Sequence, residues 1–308
     1  MPHELPNELE QADWLDRERA HHERIDTLIA GHRSRAARGH AHPVEDFLFT
    51  YYSFRPAQLR RWHAGAGVVL RGHAAQAREN WHGYRAVPGG VMVDVASFLA
   101  RRGPAVAHVQ AVLAATRARP GQFGCFGLHE WAMVYRQHPA AVRHPAYSLR
   151  LGPAGTDAVV EAARIRCTHH DAFRFFSPAA RPLNALQPRR EDQLGLEQPG
   201  CLHATMDLYK WAYKLAPALP SELVADCFVL ARRTRELDMR ASPYDLSELG
   251  LSPVRIETPE GRAEYVTLQR SMAQQGQRLR QRLLGECRRL CAADRPAGES
   301  RANDPAGG

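Results

Sequence analysis

The sequence predicts a mainly α fold with a few short strands (α+β), built as a single compact helical domain. Three observations carry this. Apolar residues recur at helical spacing over most of the chain, only short runs alternate in the manner of strands, and no linker-like stretch divides the 308 residues. The predicted domain covers 1–292, with amphipathic helices at both ends, and the tail 293–308 (ADRPAGES and beyond) has the composition of a disordered segment.

Taken in order, the N-terminal portion 1–40 holds a helix over 7–36, in which Trp14, His21, Ile25 and Leu28 recur at heptad-like spacing. Residues 43–54 are rich in aromatic side chains and are expected to be buried. The runs 67–72, 147–152, 164–172 and 253–257 alternate or carry β-branched residues, and they predict a small sheet. Helices are predicted at 93–102, 104–118, 125–137, 156–163, 201–215, 221–239 and 259–292. Ser221 is the expected N-cap of one. Thr258-Pro259-Glu260 opens the last with a capping hydroxyl and a first-turn proline. The Pro-rich stretch 177–200 has no periodicity and reads as a long surface loop of the kind that serves as a lid or binding loop.

Charge narrows the function classes little. Lys+Arg number 41 against 33 Asp+Glu, giving a net charge of +8, so a polyanionic partner such as DNA is compatible but not specified. No apolar run is long enough to span a membrane and no apolar signal core opens the chain, which predicts a soluble, cytoplasmic protein without a membrane partner. Oligomeric state has no sequence signal. More informative is that only two of the 41 cations are lysine, Lys210 and Lys214. Both lie in CLHATMDLYKWAYKL (201–215), where apolar residues cover most of the helix circumference. His203, Asp207, Lys210 and Lys214 share one narrow polar stripe at i, i+4, i+7 and i+11. Either this stripe is a solvated seam whose charges pair, or it lines a pocket. In a pocket, Lys210 would be a nucleophile or anion anchor tuned by Asp207.

Other polar residues interrupt apolar segments in the same way. In CTHHDAFRFF, an extended chain would put His169 and Asp171 on one face. His129 lies on a largely apolar helix whose spacing is not HExxH, and Asp238 and Arg240 lie near the end of 221–239. No motif demands a cofactor. A divalent metal (iron, manganese or zinc) is the candidate if His129, His169 and His203 converge with Asp171 and Asp207. The last helix carries an arginine-rich face opposite the apolar stripe of Tyr265, Leu268, Met272, Leu279, Leu283, Cys287 and Leu290.

The strings HPVEDFLFTYYSFRPAQLRRWH, CFGLHEWAMVYR, CTHHDAFRFF, GCLHATMDLYKWAYKL and RELDMRASPYDL, followed by IETPEGRAEY, span roughly 41–285. Together they resemble a family of bacterial proteins, common in actinobacteria, that carries the name 3-methyladenine DNA glycosylase. The resemblance implies a DNA-repair hydrolase that releases an alkylated purine. Such an enzyme needs carboxylates beside the glycosidic bond, aromatics to stack the flipped base and a basic DNA face. Asp171, Asp207 and Asp238, with His203 and Lys210, are the candidate catalytic residues. His129, His169, Trp211, Tyr209 and Arg240 are the candidate substrate contacts, with Trp131 and Phe175 as further stackers. Neither a helix–hairpin–helix nor a formamidopyrimidine-type signature is present. Two readings from other classes stand beside it: a small-molecule enzyme with an enclosed His/Asp/Lys site, and a non-catalytic nucleic-acid-binding protein using the arginine face.

Overall fold

In a computed structural model, which describes residues 7–138, 142 and 144–293, seven α-helices longer than five residues surround a common core, and a small sheet closes one side. They are α1 (Gln11–Ala36), α2 (Val95–Ala118), α3 (Leu128–Val134), α4 (Gly152–Ala162), α5 (Leu202–Lys214), α6 (Ser221–Arg240) and α7 (Pro259–Ala293). The fold is mainly α with few strands, as the sequence predicts. The predicted disordered tail, apart from its first residue, lies outside the described residues.

The sheet has the order β1-β2-β4-β3: β1 (Asn7–Leu9) runs parallel to β2 (Val68–Arg71), and β4 (Gly90–Val93) pairs antiparallel with both β2 and β3 (Tyr84–Val87). Only 67–72 among the predicted strands belongs to it. The other three find their hydrogen bonds elsewhere. In 147–152 Leu149 makes a single bridge to Tyr244, and in 164–172 Ile165 makes one to Asn184 before the chain turns into helix at His170–Phe173. In 253–257 the Val254 amide donates to the Arg240 carbonyl (2.8 Å), and Ile256 accepts from Arg262 Nε (2.8 Å). Connecting segments satisfy the first two backbones and helix ends the third, so no neighbouring strand is needed. The β3–β4 hairpin turns through Pro88-Gly89, with Gly89 at φ +74, a turn signal that the sequence carries in plain view.

Helix boundaries follow local chemistry. Residues 7–9 are strand, so α1 begins later than its periodicity suggests. Asp94 caps α2, its Oδ1 accepting from the Ser97 amide (3.1 Å), and α2 then runs unbroken through Pro104. The carbonyl that this proline leaves without a partner is that of Ala100, on the exposed side where water can reach it. At α6, Pro220 takes the cap position. Ser221 instead ties the helix to the chain before β2, its Oγ accepting from the His63 amide (2.9 Å) and donating to the Arg61 carbonyl (3.2 Å). Thr258 does cap α7, accepting from the Gly261 amide (3.1 Å).

The centre of the molecule is α5 packed on α6, with α7 lying across both and along α2. Tyr265, Met272, Leu283, Cys287 and Leu290 of the α7 stripe are buried, with Leu268 and Leu279 partly so. Its arginines are not all on the solvent face: Arg280 is buried and donates to the Ala204 carbonyl of α5 (3.3 Å). No described helix is long and apolar enough to cross a membrane.

Candidate functional site

Two groups of buried side chains meet on α5. The first draws His129 from α3, His203 from α5 and Asp238 from α6; the second draws His169, Glu197 and Asp207. In each, the three ligand-type atoms lie within 4.8 Å of one another. The groups adjoin through their imidazoles: the His203 ring stands 4.4 Å from that of His129, edge to face, and 5.3 Å from that of His169, stacked.

The backbone places these residues with some local strain. Phe126 (φ 47) and Gly127 (φ 70) are both left-handed, which folds the chain sharply into the short α3 and turns His129 inward. Between Leu196 and α5, Glu197–Gly200 is buried, not the surface loop that composition predicts for 177–200. Arg119 donates to the Glu197 carbonyl (2.9 Å). Gln198 Oε1 accepts from the Gln122 and Gly200 amides (2.8 and 2.7 Å), and Gln269 of α7 donates to the Gly200 carbonyl (2.7 Å). Gly200 is required by close approach, since a Cβ there would lie 2.3 Å from the Gln122 carbonyl oxygen.

In the first group two ligand atoms face only each other: His129 Nε2 lies 2.9 Å from Asp238 Oδ1, an ion-pair contact, and neither atom has another hydrogen-bond partner. The other oxygen, Asp238 Oδ2, accepts from Arg235 (2.5 Å), whose guanidinium also reaches Glu130 Oε1 (2.6 Å) and stacks over Phe47 at 4.0 Å. Burial opposes ionisation of Asp238, but the nearby His129 and Arg235 outweigh it and hold its pKa well below the usual carboxylate range. Burial pushes the His203 imidazole the other way, well below its ordinary pKa, with His129 beside it adding to the effect, so His203 stands neutral.

The second group is a charged network. His169 Nε2 makes long ion-pair contacts, 3.4 Å each, to Glu197 Oε1 and Asp207 Oδ2. Tyr52 donates to Asp207 Oδ1 (2.9 Å) and Gln193 to Glu197 Oε1 (2.5 Å). The Lys210 ammonium is paired to Asp207 Oδ2 and stands 3.5 Å from Asp171. Burial disfavours both charges of the lysine–aspartate pair, and their mutual attraction prevails. Lys210 is raised and Asp207 lowered, each well beyond its ordinary range. His169 is also raised, because the Asp207 and Glu197 carboxylates overcome its burial.

Each group faces its own cavity, and Thr168 lines both. The inner cavity, about 570 Å³, is lined by His129 and His203 with Phe126, Leu128, Leu202 and Tyr265. The outer one, about 850 Å³, is lined by His169, Glu197, Lys210, Trp211 and Lys214, among other charged residues.

The polar stripe of 201–215 therefore points inward at His203 and Asp207 and emerges at Lys210 and Lys214; it is not a solvated seam. His129, His169, His203, Asp207, Asp238 and Lys210 come together, and Trp211 lines the outer cavity. Asp171 stands at the edge, half-buried, pairing with Arg174 (3.2 Å) and Lys210. The chain there is a helical turn, so the extended face that would join it to His169 does not exist. Two candidate substrate contacts are elsewhere. Tyr209 is fully buried among Tyr52, Tyr213 and Phe228, because its position on α5 faces α6. Arg240, at the end of α6, donates to the Ser252 carbonyl (2.8 Å) and lines neither cavity. Trp131 is a core residue donating to the Ala241 carbonyl (2.8 Å).

Sequence reasoning missed Glu130, Arg235, Glu197 and Tyr52. A signal existed for Arg235, three residues before Asp238 on one helix face, but Glu197 sits in an aperiodic loop with none. Compared with protein-family models, curated proteins and solved structures, the chain matches none.

Proposed function

We propose that the protein is a metal-dependent enzyme acting on a small molecule in the inner cavity, with His129, His203 and Asp238 as metal ligands. One observation carries this: His129 Nε2 and Asp238 Oδ1 are buried, 2.9 Å apart and without any other partner, beside a neutral His203, and the ligand-type atoms of all three lie within 4.8 Å of one another. Buried polar atoms normally find several partners, and two that face only each other suit ligands aimed at a shared third atom. Two imidazoles and one carboxylate form a donor set that suits iron(II), manganese(II) or zinc, with coordination positions left for substrate or water. Arg235 and Glu130 would serve as the outer partners that fix the carboxylate. A bound ion would supply Lewis acidity or, if iron, oxygen chemistry. The chain itself supplies a cavity of about 570 Å³ that fits a small substrate and limits water around it.

The DNA N-glycosylase activity that the resemblance implies is less well supported by the geometry. Asp207 and Asp238 are each at most 1% exposed, the first paired with Lys210 and the second with His129, which leaves Asp171 as the one candidate carboxylate at the rim of a cavity. Of the arginines on α7, Arg280 is internal, and Arg282 and Arg289 pair with Asp226 and Glu286.

The test is metal analysis of purified protein, followed by anaerobic reconstitution with iron(II), manganese(II), zinc or cobalt(II). Retention of one ion by the wild type, and its loss in His203→Ala and Asp238→Asn, is the expected result. Metal-free protein that binds DNA in a salt-dependent way and releases free base from alkylated DNA would overturn the proposal in favour of the glycosylase.

A further inference from the structure

We infer that the second group, His169, Glu197 and Asp207, is a site for a second divalent cation, and that Lys210 is its built-in competitor. The inference extends the proposed function but stands on different atoms. His169 is buried, and its Nδ1 has no hydrogen-bond partner. Its Nε2 is equidistant, at 3.4 Å, from one oxygen of Glu197 and one of Asp207, a convergence of three ligand-type atoms on common space with only long contacts between them.

The remaining carboxylate contacts have the arrangement of an outer shell. Tyr52 holds Asp207 by Oδ1 and leaves Oδ2 facing His169, while Gln193 donates to Glu197 Oε1, the same oxygen that faces His169. Each carboxylate is thus oriented by a neutral donor, as metal-ligating carboxylates commonly are. Two carboxylates and one imidazole form a harder donor set than the first group, favouring manganese(II), iron(II) or magnesium over softer ions.

Lys210 supplies the positive charge that this acidic pocket needs. Its ammonium is paired to Asp207 Oδ2, the oxygen that a cation would take, and Asp171 stands 3.5 Å from the same nitrogen. Asp171 is half-buried at the rim of the outer cavity, so the ammonium has a second anion within reach when a metal displaces it. A guanidinium could not serve in this way. It is planar, with its charge spread over a fork, whereas an ammonium is a compact point charge that can step between two carboxylates. This gives a reason for one of only two lysines in an arginine-rich chain to stand here. The metal would enter through the outer cavity, which His169, Glu197 and Lys210 all line.

The experiment is a titration of metal-free wild type with manganese(II) alone, read by equilibrium dialysis and by electron paramagnetic resonance, alongside His169→Ala, Glu197→Gln, His203→Ala and Lys210→Met. Expected are two equivalents in the wild type, the second weaker, and loss of that second equivalent only in His169→Ala and Glu197→Gln. Lys210→Met should tighten the second equivalent at least tenfold. If Lys210→Met does not fold without metal, its rescue by manganese(II) at refolding is the equivalent reading, and failure of rescue counts against the inference. A single equivalent, lost in His203→Ala and untouched in His169→Ala and Glu197→Gln, would overturn the second site and leave the proposed function standing. One equivalent lost in His169→Ala but kept in His203→Ala would do the reverse.

Discussion

Arg235 and Asp238 lie one helical turn apart on α6, and the guanidinium of the first clamps one carboxylate oxygen of the second at 2.5 Å, leaving the other oxygen bare toward His129. That asymmetry separates two jobs within one side chain. One oxygen anchors the residue to the fold and the other faces His129, which lines the inner cavity.

Breaking the clamp should therefore have two distinct effects. Arg235→Leu strands Glu130 and Asp238 as buried charges and should cost about 3–5 kcal/mol of stability. Glu130→Gln keeps a hydrogen-bonding partner for Arg235 and should fold, but with metal affinity weakened roughly 10- to 100-fold through looser positioning of Asp238. Urea unfolding and metal titration of the two variants check this.

The Lys210–Asp207 pair should behave as a coupled unit. Lys210→Met alone leaves Asp207 as an uncompensated buried charge, at a cost of about 3–5 kcal/mol. Adding Asp207→Asn should recover much of that loss. A double-mutant cycle by urea denaturation should give a coupling above about 1 kcal/mol, and additive effects would show that the pair contributes little.

Far from both cavities, His63 gives the protein a source of acid sensitivity. Burial, aided by Arg78 and Arg61, pushes its pKa down to about 3, while its Nδ1 stays 2.8 Å from Tyr84 Oη. A depressed histidine binds its proton more readily in the unfolded chain. Its contribution to stability is thus complete above the unfolded pKa of 6.5 and declines as pH falls toward 3. The slope in that window is at most about 1.4 kcal/mol per pH unit. His63→Gln should flatten the stability profile between pH 6 and 4, measured by urea midpoints across that range.

Gly200→Ala should be destabilising by about 1–3 kcal/mol, because the new methyl meets the Gln122 carbonyl oxygen at 2.3 Å and the segment must shift. The shift would carry Glu197, three residues earlier. The melting temperature should fall, and metal binding at the second group should weaken while the first is spared.

The long elements were legible because their information is local. α5, α6 and α7 announce themselves by apolar periodicity, and Thr258 marks a start with its own side chain. The extended runs at 147–152, 164–172 and 253–257 were not, because pairing is a property of the neighbour; the same residues bond connecting segments or helix ends when those come closer. Within the site, the inward-facing His203, Asp207 and Lys210 could be picked out because a polar stripe on an otherwise apolar helix leaves few alternatives. Glu197 could not, since an acidic residue in a Pro-rich loop has the composition of a surface. Ser221 shows the same limit on a smaller scale, where the capping hydroxyl is recruited by a distant strand connection.

The position of α7 in the chain sets an order of assembly. Tyr265 lines the inner cavity, Gln269 fastens Gly200, Gly276 seats against Thr205 and Arg280 grips the Ala204 carbonyl, so four successive turns or so of the last helix cover α5. All six candidate ligands precede α7 in the chain and are synthesised before any of this helix is made. The growing chain thus passes through a stage in which every ligand is present and the pocket has no wall on that side. Closure, and with it any discrimination among ions by a shaped and water-poor pocket, belongs to the finished polypeptide.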